Sequence, residues 1–246
     1  MAFSDSHCHL VRASTRPEHL VKPVAEAKAK GVDTIVSMAM DLVESANNIR
    51  LAQPYPELLP AVGIHPWNAI PPTDEVRREL RQLAGRKGVA AIGEIGLDYA
   101  RNPGTEEIQK ELLRYELSLA RERGLPVSMH CRDAHQDMMA ILRQEISLGL
   151  RGSVHGFASD RAALKDWLDL GFYISIGGRG FLTDAIPALL EAVGDIPLSR
   201  LLTESEGANG PSGVASVAEK LASLRGTTVE EIARATNANL KHLLIL

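Results

Sequence analysis

Eight short apolar runs recur along the 246 residues, with longer stretches between them. They lie at 2–10, 34–39, 59–64, 90–95, 127–131, 152–156, 172–176 and 201–205. The intervening stretches 18–30, 73–84, 105–123 and 160–170 carry apolar residues at the spacing of an amphipathic helix. Gly31, Gly85, Gly124 and Gly171 each follow one of them, where a helix C-terminus favours glycine. Thr228 to Glu231 reads as a capping box before a last helix. Strand then helix, eight times over, predicts an α/β fold of the (β/α)8 TIM-barrel type. A doubly wound open sheet is the structural alternative. No linker, charge block or composition shift breaks the pattern, so residues 1–246 are expected to form one domain.

The net charge of −4 excludes a global basic field for nucleic acid. Any polyanion must be held by local groups or by metal. The two cysteines, Cys8 and Cys131, form no disulfide framework and fit a reducing compartment. The sequence shows neither a signal-peptide pattern nor an apolar run of membrane-spanning length, so the cytoplasm is the expected location and no membrane partner is expected.

Chemistry gathers at the ends of the runs. Side chains alternate faces along a strand, so Asp5, His7 and His9 are expected on one face and Ser6 and Cys8 on the other. In a barrel the active site lies at the C-terminal ends of the strands. His7 and His9 close the first run, and His65 follows the third. Glu94 lies in the fourth run, His130 ends the fifth and His155 the sixth. Glu204 and Glu206 end the eighth. Five of the eight histidines thus converge with carboxylates, leaving His19, His135 and His242 elsewhere. Imidazole and carboxylate together suit zinc, manganese, iron or magnesium. The set exceeds one tetrahedral site, so two divalent ions are expected, with Glu94 placed to bridge them. Cys8 and Cys131 alternate away from the histidines and are expected to pack in the core. Arg132 and Arg179, the latter in a glycine-rich segment, are candidates for phosphate. Trp67 is a candidate for base stacking or for rim packing.

These residues resemble the TatD-type metal-dependent hydrolases, a branch of the amidohydrolase-like barrels. The resemblance is carried by Asp5-Ser6-His7-Cys8-His9-Leu10, Gly63-Ile64-His65-Pro66, the stretch from Gly93 to Tyr99, the stretch from Pro126 to Ala134, and His155-Gly156-Phe157. Ile174 to Gly178 is similar to the family's seventh strand, and Asn237 to the asparagine of its terminal helix. The resemblance implies that His7 and His9 hold a first metal, that Glu94 bridges, and that His130 and His155 hold a second. It implies that Glu206 binds the first metal and takes a proton from the attacking water, with Glu94 as its catalytic partner. His65, Arg132 and Arg179 are then candidate substrate-binding residues. The implied reaction is hydrolysis of phosphodiester bonds, DNA among the substrates.

Two departures from the family pattern stand out. Glu204-Ser205-Glu206 occupies the place of Glu-Thr-Asp, one methylene longer at the last position. Gly207 to Gly213 replaces a longer loop that begins Ala-Pro-Tyr. They keep open hydrolysis of another ester, including aminoacyl-tRNA esters, or of an amide. They also keep open a metal-binding barrel without turnover. Strand four carries Glu94 and no lysine, which argues against the cyclic-amide type.

Overall fold

The computed structural model describes residues 1–146, 149–207 and 210–246. Ala208 and Asn209, part of the short loop singled out above, lie outside the described residues.

The eight strands are β1 (Phe3–Cys8), β2 (Val32–Ser37), β3 (Leu58–Val62), β4 (Ala91–Asp98), β5 (Val127–Arg132), β6 (Gly152–Val154), β7 (Tyr173–Gly177) and β8 (Leu201–Glu204). They form one sheet in sequence order, each pairing parallel with the next. Helices return the chain between strands: α1 (Pro17–Ala29), α2 (Leu42–Ala52), α3 (Asp74–Ala84), α4 (Glu106–Arg123), α5 (His135–Glu145) and α6 (Arg161–Asp169). Two short helices, α7 (Gly178–Leu182) and α8 (Pro187–Ala192), lie between β7 and β8, and α9 (Val214–Arg225) and α10 (Val229–Leu244) follow β8. This is the (β/α)8 barrel expected from the alternation.

Side-chain caps start several helices. Asp41, Thr73, Asp160 and Thr228 each accept a hydrogen bond from a backbone N–H of the first turn, which satisfies donors that a helix start leaves unpaired. The expected capping box at α10 is only half formed. Thr228 accepts from Glu231 N, but the Glu231 carboxylate takes the Thr227 hydroxyl.

Two apolar layers hold the barrel. The larger lies between strands and helices and includes Ile35, Ile92, Leu97, Trp167 and Phe172. A smaller cluster fills the strand interior with Val36, Met38, Ala61, Ala91, Tyr173 and Leu202, and Leu240 and Leu243 of α10 join it.

β1 and β8 meet at a seam built largely from side chains. Thr203 Oγ1 donates to Ser4 O at 3.0 Å, and Ser6 Oγ donates to Thr203 O at 3.0 Å. Ser205 donates its N–H and its hydroxyl to the two oxygens of Asp5, at 2.9 and 2.6 Å. Glu206 N donates to His7 O at 3.1 Å.

The seam corrects the expected alternation in β1. The β1–β2 register shifts between Asp5 and Cys8, and such an irregularity re-aims side chains. Ser6 reaches Ser175 Oγ of β7 at 2.6 Å, across the interior. Asp5 instead binds β8 and lies close to buried Cys8. Ser6 therefore points inward like His7, while Asp5 shares a side with Cys8. Burial pushes the Asp5 carboxyl up to about 8 against the pull of its bonds from Ser205.

Candidate metal centre

The ends of β1, β4, β5, β6 and β8 bring their polar side chains together around one carboxylate. Glu94, buried in β4, offers Oε2 to His9 Nε2 at 3.0 Å and to His7 Nε2 at 3.3 Å. Its Oε1 meets His155 Nε2 at 2.7 Å, His130 Nδ1 at 2.8 Å and His65 Nε2 at 3.0 Å. Glu206 approaches from the far side, with Oε2 3.1 Å from His155 Nδ1 and 3.6 Å from His7 Nε2. Glycine makes this crowding possible. A Cβ on Gly96, at φ +147°, would stand 1.9 Å from His130 O, so only glycine lets β4 run this close to β5.

The charges follow the geometry. Burial works against ionisation of Glu94, but His155, His7 and His65, with the bond from His130, outweigh it and hold the carboxyl well below its usual range. Burial likewise opposes charge on Glu206, yet His155 and His7 bring its carboxyl down to about 2. Burial lowers His7, helped by neighbouring His155. Burial also lowers His65. His155 runs the other way: desolvation is overcome by Glu94 and Glu206, which raise it well above an ordinary imidazole.

Among the described residues, three groups place ligand atoms close enough to share an ion: His7, His9 and Glu94; His7, His155 and Glu206; His65, Glu94 and His130. The donor chemistry fits a divalent cation. The facing imidazole nitrogens of His7 and His9 are 3.3 Å apart, and nitrogen and carboxylate donors directed at one space suit such an ion.

A cavity of about 730 Å³ opens beside this cluster on the β5–β7 side. His130, His155 and Glu206 line its inner wall, and Phe157, Trp167 and Ile186 give it an apolar side. Arg132 and Arg179 also line it. Neither guanidinium has an ion pair or side-chain hydrogen bond among the described residues. His65 does not line the cavity; its Nδ1 accepts from Trp67 N at 3.0 Å while its Nε2 sits on Glu94.

Trp67 packs on the rim. Its indole lies under the Arg101 guanidinium, 3.9 Å from the ring centroid, and its Nε1 donates to Asp98 Oδ2 at 2.6 Å. Cys8 is buried against the larger core, and Cys131 packs partly against it while touching the cavity wall. Neither belongs to a ligand group among the described residues. The remaining histidines stand apart. His19 accepts from Arg16 N, His135 pairs with Asp166, and His242 lies in the last turn of α10.

Sequence reasoning gave no role to three supporting groups. Asp98 meets His130 Nε2 at 2.9 Å. Ser128 Oγ meets His7 Nδ1 at 3.0 Å. Glu204, fully buried, accepts from Gly156 N at 2.7 Å, and its other oxygen has no hydrogen-bond partner among the described residues. A signal for Asp98 existed, since even spacing from Glu94 puts both on one face of β4.

The sequence profile of the TatD related DNase family matches residues 4–244. The uncharacterized metal-dependent hydrolase YabD of Bacillus subtilis is 34% identical over 250 residues, covering 97% of each chain. The 3'-5' ssDNA/RNA exonuclease TatD of Citrobacter rodentium is 32% identical over 241 residues, 89% of each chain. The crystal structure of the TatD homolog YjjV from Escherichia coli superposes with a TM-score of 0.87 at 28% identity, covering 99% of this chain and 98% of that one. With its profile matched nearly end to end and its barrel shared, the chain belongs to the TatD related DNase family of metal-dependent hydrolases.

Proposed function

We propose that this protein hydrolyses phosphodiester bonds in nucleic acid, single-stranded DNA or RNA among the substrates. The observation that carries the reading is Glu94, a single buried carboxylate with five imidazoles within 3.3 Å, beside a cavity lined by two arginines that have no ion pair among the described residues. His7, His9, Glu94, His130, His155 and Glu206 would hold one or two divalent ions, zinc, manganese, magnesium or iron. Such ions, when bound, activate water and neutralise charge on the phosphoryl oxygens. Glu94 organises the centre, because each of its oxygens faces a different set of imidazoles. Glu206 borders the cavity and takes the proton of the attacking water. Arg132 and Arg179 grip the phosphate oxygens, a task suited to the guanidinium fork. His65 braces Glu94 from the rim side. Residues 1–246 work as one domain on this reading, since the ligand set draws on strands from both ends of the chain. The free thiols of Cys8 and Cys131 fit work in the cytoplasm. Among the described residues no helix is long and apolar enough to cross a membrane.

The test is hydrolysis of a generic phosphodiester by chelator-stripped protein given manganese, magnesium or zinc, with His130→Ala as control. Metal-dependent turnover that the variant loses is expected. No turnover with any metal, alongside activity on a carboxylic ester or amide panel, would overturn the phosphodiester reading.

A further inference from the structure

We propose that Asp98 is a positioning residue for His130, holding the proton on Nε2 so that Nδ1 is the ligand atom beside Glu94 when an ion is bound, and that Trp67 and Arg101 lock Asp98 into this task. The inference rests on the reading above, in which His130 is a metal ligand.

A neutral imidazole has one nitrogen that donates and one that accepts. The partner on one nitrogen decides the state of the other. His130 Nδ1 points into the cluster, 2.8 Å from Glu94 Oε1 and 3.2 Å from His155 Nε2. Its Nε2 points away, 2.9 Å from Asp98 Oδ2. Asp98 offers only acceptors. Its Oδ1 is committed to the backbone N–H groups of Ala100 and Arg101 at 3.0 and 2.9 Å. Its Oδ2 already takes the Trp67 indole N–H at 2.6 Å. The carboxylate is thus fixed in rotation, with one oxygen left to face His130 Nε2. Both ring nitrogens face carboxylates, so an ion that takes Nδ1 displaces the proton there, and Asp98 keeps the one on Nε2.

The surroundings hold the arrangement. The Asp98 side chain is fully buried. Gln109 of α4 clamps its main chain, accepting from Asp98 N at 2.8 Å and donating to Asp98 O at 3.0 Å. The Arg101 guanidinium covers the indole whose N–H reaches Asp98. Outer carboxylates of this kind set ring orientation and raise ligand basicity.

Asp98→Asn gives the sharpest test. Oδ1 must stay on the two backbone N–H groups, so the new NH2 replaces Oδ2. It would oppose the Trp67 N–H and donate to His130 Nε2, forcing the proton onto Nδ1. The expected result is a zinc Kd raised about 10–100-fold, read by chelator competition with zinc alone. Trp67→Phe keeps the ring and removes only the N–H, so a smaller, several-fold rise is expected. It also serves if Asp98→Asn fails to fold. Histidine 15N spectra of the zinc-loaded wild-type protein should show His130 protonated at Nε2 and metal-bound at Nδ1. A His130 proton on Nδ1 would overturn the inference. So would an Asp98→Asn protein that unfolds earlier yet binds zinc as tightly as the parent, which is the mark of a purely structural role. If His130→Ala binds zinc normally, the ligand role of His130 falls instead, and the 15N spectra still decide whether Asp98 sets the proton.

Discussion

Glu206 sits in the left-handed region at φ +55°, an uncommon place for a side chain of its size. Its Cβ comes within 3.1 Å of where a Cβ on Gly178 would stand, so Gly178 leaves it room. Reach explains the longer acid, because the carboxylate touches both His155 and His7 from this backbone position. Glu206→Asp removes one methylene and withdraws the carboxylate from both. We expect kcat to fall about 100-fold on a phosphodiester substrate, the scale of loss for a small misplacement at a reacting centre. Steady-state kinetics with a fixed metal check this, and a faster aspartate variant would mean that Glu206 is a handicap. The histidines of this site were legible in the sequence because each stands at the end of a strand. Asp98 and Ser128 were not, nor was the support that Glu204 gives to Gly156, because each acts only through a partner that folding supplies.

Elements carry the next set of constraints. β4 and β5 pair at Gly96 and His130, where a Cβ on Gly96 would stand 1.9 Å from His130 O, so Gly96→Ala must push the strands apart. Overpacking of this kind costs about 1–3 kcal/mol, measurable by denaturant unfolding of metal-free protein, and a loss below 1 kcal/mol would mean that the strands yield freely. α4 supports the neighbouring strand end through Glu116, which is fully buried and accepts Ile64 N at 2.8 Å. Burial raises the Glu116 carboxyl well above its usual range despite that bond. The folded chain therefore keeps a proton that the unfolded chain releases above about pH 4.3. Stability falls as pH rises from there toward the folded value. Glu116→Gln keeps an acceptor for Ile64 and removes the charge. We expect its Tm to exceed the parent's by a margin larger at pH 8 than at pH 5, and an equal margin at both would show that Glu116 does not titrate in this window. Strand order and type were readable from periodicity, whereas the inward turn of Ser6 was not. Alternation assumes an even register, and β1 breaks it.

The whole molecule is acidic, with a net charge of −4. On the proposed reading, cationic contacts with a polyanion are local, at Arg132 and Arg179, which line the cavity. Two phosphates neutralised on a single strand give a salt slope of about −1.4 in log K against log salt. Anisotropy titrations of stripped protein with a fluorescent single strand should find it, and Arg132→Ala should flatten the slope by about 0.7. A tight complex that persists at high salt would contradict the local picture. The seam between β1 and β8 adds a constraint in time. Asp5 and Ser205, bonded across it, are 200 residues apart, and His7 and Glu206 are their neighbours on either side. A chain still being synthesised holds its histidines long before it holds its last acid. On the proposed roles, the nascent polypeptide beside its own messenger lacks its proton acceptor until the eighth strand has emerged and closed on the first.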